Sequence, residues 1–203
     1  GGLNGNGERI TLVDGALNTV LDFAYNDNDP WPIRADGHGA TLELVNPSQT
    51  PSDQFGKYYH WRGSTEKGGT PGAAGQGPVG VVINEVLSHT DLPIVETDSI
   101  ELVNTLASPI DIGGWFLSDA ANNFLKYQIP ESTVLEAGQY VVFDERHFNP
   151  TPATPGPNHF ALNGLQGDDV WLVDPNGPGG TLLFVDDVHF DATVNGESLG
   201  RVP

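Results

Sequence analysis

Apolar and polar residues alternate over short stretches of this chain, and turn residues separate the stretches. Residues 9–13 and 41–45 have an apolar residue at every second position, which is the period of a strand with one buried face. Further strand candidates follow at similar spacing: residues 20–25, 58–62, 79–87, 99–104, 110–119, 126–130, 139–143, 169–173 and 182–190. No apolar period of 3.6 residues persists along the chain, so the pattern predicts no substantial helix. Short, regularly spaced strands predict an all-β sandwich or barrel.

The chain contains an internal repeat, and the first copy is shorter than the second. Four aligned pairs carry the repeat: residues 3–5 with 162–164, 7–14 with 167–174, 20–25 with 185–190, and 39–42 with 196–199. The second copy has about eighty residues ahead of the match, whereas the first has almost none. We therefore predict that residues 1–72 are the back half of a module whose front half lies outside this chain.

A segment rich in Gly, Pro and Ala at residues 73–78 is predicted to link the two copies. The complete copy at residues 79–203 is long enough to bury roughly two-thirds of its unfolded surface. The half copy is too short to do so alone. We expect it to lean on the second copy or to be completed by residues that this chain lacks.

The net charge of −19, from 27 acidic and 8 basic residues, limits the classes of partner. An acidic field of this size repels nucleic-acid phosphates and anionic membrane surfaces, so we expect neither nucleic-acid binding nor membrane insertion. There is no Cys, hence no disulfide framework. There is also no Met, so we expect the sequence to be a processed or excised piece of a longer protein.

The second copy contains an ordered series of motifs at residues 82–86, 100–104, 110–119, 129–130, 135–143 and 167–172. Together they resemble the lamin-tail domain, in the form found in secreted bacterial proteins. The first copy resembles the closing segment of the same domain, and this likeness is carried by residues 36–44, 61–62 and 69–72.

The resemblance implies an immunoglobulin-like β-sandwich with no known catalytic residues. It also implies a domain that is appended to a larger extracellular protein, in some cases one with nuclease or other enzymatic domains. We therefore expect one complete lamin-tail-like domain at residues 79–203 and the C-terminal half of another at residues 1–72. The expected location is extracellular or in the cell envelope.

Acidic loops are the candidate metal ligands of this sequence. Carboxylate oxygens in irregular loops suit Ca²⁺, although the glycine and glutamate positions of an EF-hand loop are missing. The candidates are Asp27, Asp29, Asp119, Asp168 and Asp169. No organic cofactor is predicted, and calcium is the candidate ion. The six histidines show no zinc-site spacing, and the string at residues 196–200 lacks the setting of a serine nucleophile.

Four aromatic side chains of the first copy are the candidate binding residues. An exposed, flat group of aromatic rings is the feature that a glycan-binding surface needs. The residues are Trp31, Tyr58, Tyr59 and Trp61.

The sequence favours a non-enzymatic accessory or interaction module of a larger secreted or cell-envelope bacterial protein. Such a module would bind a protein or a glycan through its loops and sheet edges. Two alternatives stay open: a calcium-stabilised structural spacer, and an auxiliary domain of a polymer hydrolase or nuclease. The carboxylates of Glu85 and Glu101 could share a sheet edge and would serve the last alternative. An open sheet edge in the half copy could also pair with another chain, which would give a homodimer.

Overall fold

The structure, a computed structural model, describes residues 3–93 and 97–201. It divides into two compact units, unit 1 (Gly1–Gly75) and unit 2 (Gln76–Pro203), and the division lies inside the predicted linker. Both units consist of antiparallel strands joined by turns and 3-10 segments. The prediction of an all-β protein is confirmed.

Unit 1 contains two separate strand pairs in its described residues. Strands β1 (Glu8–Val13) and β2 (Thr19–Tyr25) form one hairpin, and β3 (Leu42–Leu44) pairs with β4 (Trp61–Gly63). The chain between these strands includes 3-10 turns at Ile33–Ala35, Ser52–Gln54 and Tyr58–His60.

The prediction of one aromatic strand over residues 58–62 is wrong in its first half. The backbone turns at Tyr58–His60, where the amide of His60 donates to the carbonyl of Lys57 at 3.1 Å, and strand β4 begins at Trp61. The indole Nε1 of Trp61 donates to the carbonyl of Phe55 at 2.7 Å. The turn at Tyr58–His60 brings the indole ring of Trp61 back to the loop that contains Phe55, and this hydrogen bond holds the ring there.

Unit 2 contains two four-stranded antiparallel sheets. Their orders are β11-β6-β5-β14 and β13-β12-β8-β9, and β7 pairs with β10. The strands are β5 (Val81–Leu87), β6 (Ser99–Asn104), β7 (Ile110–Asp111), β8 (Phe116–Ser118), β9 (Tyr127–Gln128), β10 (Val134–Leu135), β11 (Tyr140–Asp144), β12 (Asp168–Asp174), β13 (Leu183–Phe190) and β14 (Leu199–Gly200).

An apolar core lies between these two sheets. One sheet contributes Val81, Ile83, Val86, Ile100, Leu102 and Phe143; the other contributes Leu117, Val170, Leu172, Val185 and Phe190. Trp115 reaches the same core directly after Gly114, whose φ of 82° lies in the left-handed region that favours glycine. The predicted sandwich architecture is therefore present in unit 2.

One short helix, α1 (Glu145–Phe148), follows β11 and was missed by the apolar period because it has a single turn. Asp144 caps it: its carboxylate accepts from the amide of Arg146 at 3.1 Å, and the ring of His147 accepts from the amide of Asp144 at 3.2 Å. Within residues 3–93 and 97–201, no helix has both the length and the apolar character needed to cross a bilayer.

Two buried polar side chains hold the ends of the strands of unit 2. The amide group of Asn104, at the end of β6, bonds four neighbouring backbone groups. Asp98, just before β6, accepts from the hydroxyl of Thr90 at 2.9 Å and from the backbone amide of Leu162 at 3.0 Å. Asp98 thus joins two segments that lie 64 residues apart in sequence.

We predict that Asp98 makes the stability of unit 2 depend on pH. Burial raises the pKa of this carboxyl group from 3.8 to about 6, more than the two hydrogen bonds lower it. The folded protein therefore keeps a proton that the unfolded chain releases, and the free energy of unfolding falls by about 3 kcal/mol as the pH rises from about 4 to about 6.

Urea unfolding of the wild type and of Asp98→Asn at pH values across this interval measures the effect. The difference in unfolding free energy between the two proteins should change across the interval, because Asn does not titrate. Parallel pH profiles for the two proteins would contradict the assignment.

Candidate binding surface

The hairpin of β1 and β2 has the same pairing register as the hairpin of β12 and β13. Glu8 lies opposite Tyr25 in unit 1, and Asp168 lies opposite Phe190 in unit 2. Both ladders shift register directly after a matching leucine, Leu12 in β1 and Leu172 in β12. The sequence repeat is therefore also a repeat of backbone structure, including the position of the β-bulge.

The turns that lead into the two hairpins are also alike. Gly7 and Gly167 have φ values of 82° and 92°, and a side chain at either would collide with the backbone at the end of the partner strand. The amide of Gly7 donates to the carbonyl of Asn4 at 3.2 Å, and the amide of Gly167 donates to that of Asn163 at 2.9 Å. Glycine is required in both places because the chain enters the strand through a left-handed conformation.

Six apolar positions of unit 1 match core positions of unit 2. We define the open face as Leu3, Ile10, Leu12, Val20, Phe23 and Tyr25. Their counterparts in unit 2 are Leu162, Val170, Leu172, Val185, Val188 and Phe190, all of which belong to the core of unit 2 or pack against it. The two sets have the same apolar character because they occupy equivalent inward positions of the same hairpin.

The two sets differ in burial. The exposed fractions show it for three pairs: Leu3 74% against Leu162 7%, Leu12 54% against Leu172 0%, and Val20 59% against Val185 5%. In unit 2, the sheet of β5, β6 and β11 covers the hairpin, and β8 pairs with the free edge of β12. Among the described residues of unit 1, β1 pairs with β2 alone, so its other edge has no strand beside it.

A concave depression of about 400 Å³ lies over part of the open face. Its wall combines open-face residues with side chains of the following loops: Leu3, Ile10, Phe23, Tyr25, Pro32, Ala35, Leu42 and Trp61, with polar atoms from Asn4, Asn26, Asp27 and Asp36. A concave, mostly apolar surface with a few polar groups at its rim is the ordinary form of a binding site.

The four predicted aromatic residues fall into two groups. Trp61 stacks on Phe23, with ring centroids 5.7 Å apart and planes 25° apart, and Trp31 lies 6.3 Å from Trp61. Both tryptophans are half-buried. Tyr58 and Tyr59 are exposed, with their ring planes at 81°. The tryptophans thus support the wall of the depression, and the two tyrosines do not form a flat platform. Glycan binding stays a prediction.

The predicted metal ligands lie in both units. Asp27 and Asp29 lie in the loop after β2, where the side chain of Asn26 accepts from the amides of Asp27 and Asn28. Asp119 is bonded by the ammonium group of Lys126. Among residues 3–93 and 97–201, no three acidic or histidine side chains converge on one point that could hold an ion. Calcium binding stays a prediction.

Asp168 and Asp169, at the start of β12, already have protein partners. Asp168 accepts from the backbone amides of Asn163 and Asp169 at 2.8 and 2.9 Å, and burial raises the pKa of its carboxyl group. Asp169 contacts Nδ1 of His189 at 2.7 Å across the ladder. The spacing of residues along one strand does not reveal this cross-strand pair, because the pair depends on the register between β12 and β13.

Glu85 and Glu101 lie opposite each other in β5 and β6. The side-chain amide of Asn84 donates to Glu101 at 2.8 Å, and the hydroxyl of Ser198 donates to Glu85. Ser198 directly precedes the short strand β14 and not a helix, so it lacks the strand-to-helix turn of a serine nucleophile. These side chains join β5 to its two neighbouring strands.

Two antiparallel sheets that face each other across an apolar core define unit 2 as an immunoglobulin-like β-sandwich. The model of the family described as "Lamin Tail Domain" matches residues 75–189, more than half of the chain. The chain therefore belongs to the lamin tail domain family, and the resemblance stated above is confirmed for one copy. Domains of this family are immunoglobulin-like modules that are typically non-catalytic and serve interactions.

The family match begins within the predicted linker and ends in β13. Residues 1–72 lie outside it, so their assignment as half of a second copy stays a prediction. A search of curated protein sequences finds no match to the chain.

Proposed function

We propose that this chain is a non-enzymatic interaction module of a larger secreted or cell-envelope bacterial protein, and that it binds a polypeptide partner through the open face of unit 1. The observation that carries the proposal is the contrast in burial at equivalent positions. Leu12 and Val20 are more than half exposed, whereas their counterparts in unit 2 are buried.

The first reason to expect a partner at the open face is the free energy that is gained when exposed apolar surface is buried. Burial of such surface contributes about 25 cal/mol per Å², so a partner that covers a contiguous apolar face gains binding free energy from it. Soluble proteins rarely leave large contiguous apolar patches exposed without an interaction to serve. Leu3, Leu12 and Val20 are exposed apolar side chains of the open face, and the burial of their counterparts shows that such a hairpin can be covered.

The second reason is the unpaired edge of β1. A strand edge offers a row of backbone donors and acceptors, and an extended peptide can add to it as a further strand. Main-chain pairing at this edge and apolar contacts on the open face together suit a polypeptide better than a nucleic acid. The net charge of −19 also disfavours nucleic acid.

Selection from a displayed library of random peptides tests the proposal. We expect the wild type to enrich extended peptides with alternating apolar residues, and the variant Leu12→Asp to enrich none. Leu17→Asp is the matched control, because Leu17 is 80% exposed in the β1–β2 turn and lies outside the open face. Val20→Asp provides a second open-face variant should Leu12→Asp disturb the hairpin, which circular dichroism monitors.

Two results would contradict the proposal. One is the absence of enrichment by the wild type. The other is equal enrichment by the wild type and both open-face variants.

A further inference from the structure

We infer that the strand that completes unit 1 has the chemistry of β8: an extended front-half segment of a different lamin-tail module, which pairs antiparallel with the free edge of β1. The inference rests on the proposed function and specifies its partner. β8 of unit 2 is already paired with β12. The partner strand is therefore a front-half segment other than that of unit 2.

The register of the partner strand follows from the repeat. In unit 2, Phe116, Leu117 and Ser118 of β8 lie opposite Val173, Leu172 and Trp171 of β12. The counterparts of these β12 residues in β1 are Val13, Leu12 and Thr11. A partner strand with the Phe-Leu-Ser pattern would thus place its leucine directly opposite Leu12.

The two side chains that would meet across this strand pair, the leucine of the partner strand and Leu12 of β1, are both apolar. Leu117 is fully buried, and Trp115 lies two residues before it in the same core. Because successive residues of a strand point to opposite faces, a leucine at the Leu117 position lies on the same face as Leu12. Such a strand would place its leucine beside Leu12, which lies at the more exposed end of the open face.

Unit 2 has a charged side chain, Asp186, at one inward position of its hairpin, whereas unit 1 has an apolar side chain at the equivalent position. Asp186 lies opposite Leu172, and its carboxylate accepts from the backbone amide of Ile83 and from the guanidinium of Arg201, both at 2.8 Å. The residue opposite Leu12 in unit 1 is Leu21. The partner of unit 1 therefore needs no donor at this point and can be wholly apolar there.

Titration of the full chain with a synthetic peptide tests the inference. The peptide has the sequence of residues 110–129, which contains β7, β8 and β9. We expect saturable changes in the amide NMR signals of β1 and of the open face. The peptide variant Leu117→Asp should bind at least about tenfold more weakly, because it removes the apolar contact with Leu12. The chain variant Leu12→Asp should show a similar loss, and Leu17→Asp should show none.

Three other results of these experiments would overturn the inference. No binding of the peptide, with peptides still selected from the random library, would leave the proposed function standing and remove the lamin-tail partner. Signal changes in β12 in place of β1 would show that the peptide exchanges with β8 of unit 2. Signals of the open face that shift with protein concentration alone, and not with peptide, would make a second copy of the chain the partner.

Discussion

Replacing Leu172 by Ala is expected to lower the free energy of unfolding of unit 2 by about 4 kcal/mol, whereas Leu12→Ala should change the free energy of unfolding of the protein by less than about 0.5 kcal/mol. Leu172 is fully buried between the two sheets, so the substitution removes apolar contacts and leaves a cavity. Leu12 occupies the equivalent position of β1 but is more than half exposed, so its methyl groups contribute little.

Urea unfolding, combined with hydrogen exchange of the amides of β12, measures the two substitutions against the wild type. The pair is a matched comparison, because both leucines precede the same register shift in equivalent hairpins. A loss of several kcal/mol in Leu12→Ala would mean that the open face is covered in solution. That result would remove the basis of the proposed function.

Asn104→Ala is expected to destabilise unit 2 by about 3 kcal/mol. The side chain is fully buried, and its Nδ2 group donates to the carbonyls of Ser108, Leu135 and Glu136 at 2.9 to 3.1 Å. Its Oδ1 atom accepts from the amide of Leu106 at 2.9 Å. Alanine removes these partners together and leaves buried backbone groups unsatisfied, and each such group costs about 1 to 3 kcal/mol.

Thermal and urea unfolding of Asn104→Ala and of Asn122→Ala test this expectation. Asn122 is exposed in the loop after β8, so its replacement should change the free energy of unfolding by less than about 0.5 kcal/mol. Equal stability of the two variants would show that the network around Asn104 contributes nothing net.

The strands of the protein could be predicted largely from the sequence, because their signals are local. Residues 99–104 were predicted as a strand and form β6, and the Gly-Gly break within residues 110–119 separates β7 from β8. Residues 58–62 were predicted wrongly, because the aromatic residues that favour a strand there also serve a 3-10 turn. Helix α1 is too short for its apolar period to be read, although Asp144 is a suitable cap.

The buried polar side chains could not be predicted, because their partners are remote in sequence. Asp98 becomes buried because Leu162 supplies a backbone amide from a distant loop. Nothing near residue 98 in the sequence indicates that amide. The pair of Asp169 and His189 was missed for a related reason: it depends on the register between two strands and not on the spacing within one.

The open face could be predicted only in part from the sequence. Alignment of the two copies does predict that Ile10, Leu12 and Phe23 point inward, since their counterparts have the same apolar character. It does not predict how far these residues are exposed, because burial depends on what packs against the hairpin. The contrast between Leu12 and Leu172 therefore had to come from the structure.

Amide hydrogen exchange of β1 compared with β12, position by position in the intact chain, tests whether the open face of unit 1 is exposed in solution. Amides of Leu172 and its neighbours are expected to exchange only through global unfolding of unit 2. Amides on the free edge of β1 should exchange much faster, with protection appearing when the peptide of residues 110–129 is added. Equal protection of β1 and β12 without any peptide would show that the open face is already covered, and unit 1 would then have no open face for a partner to bind.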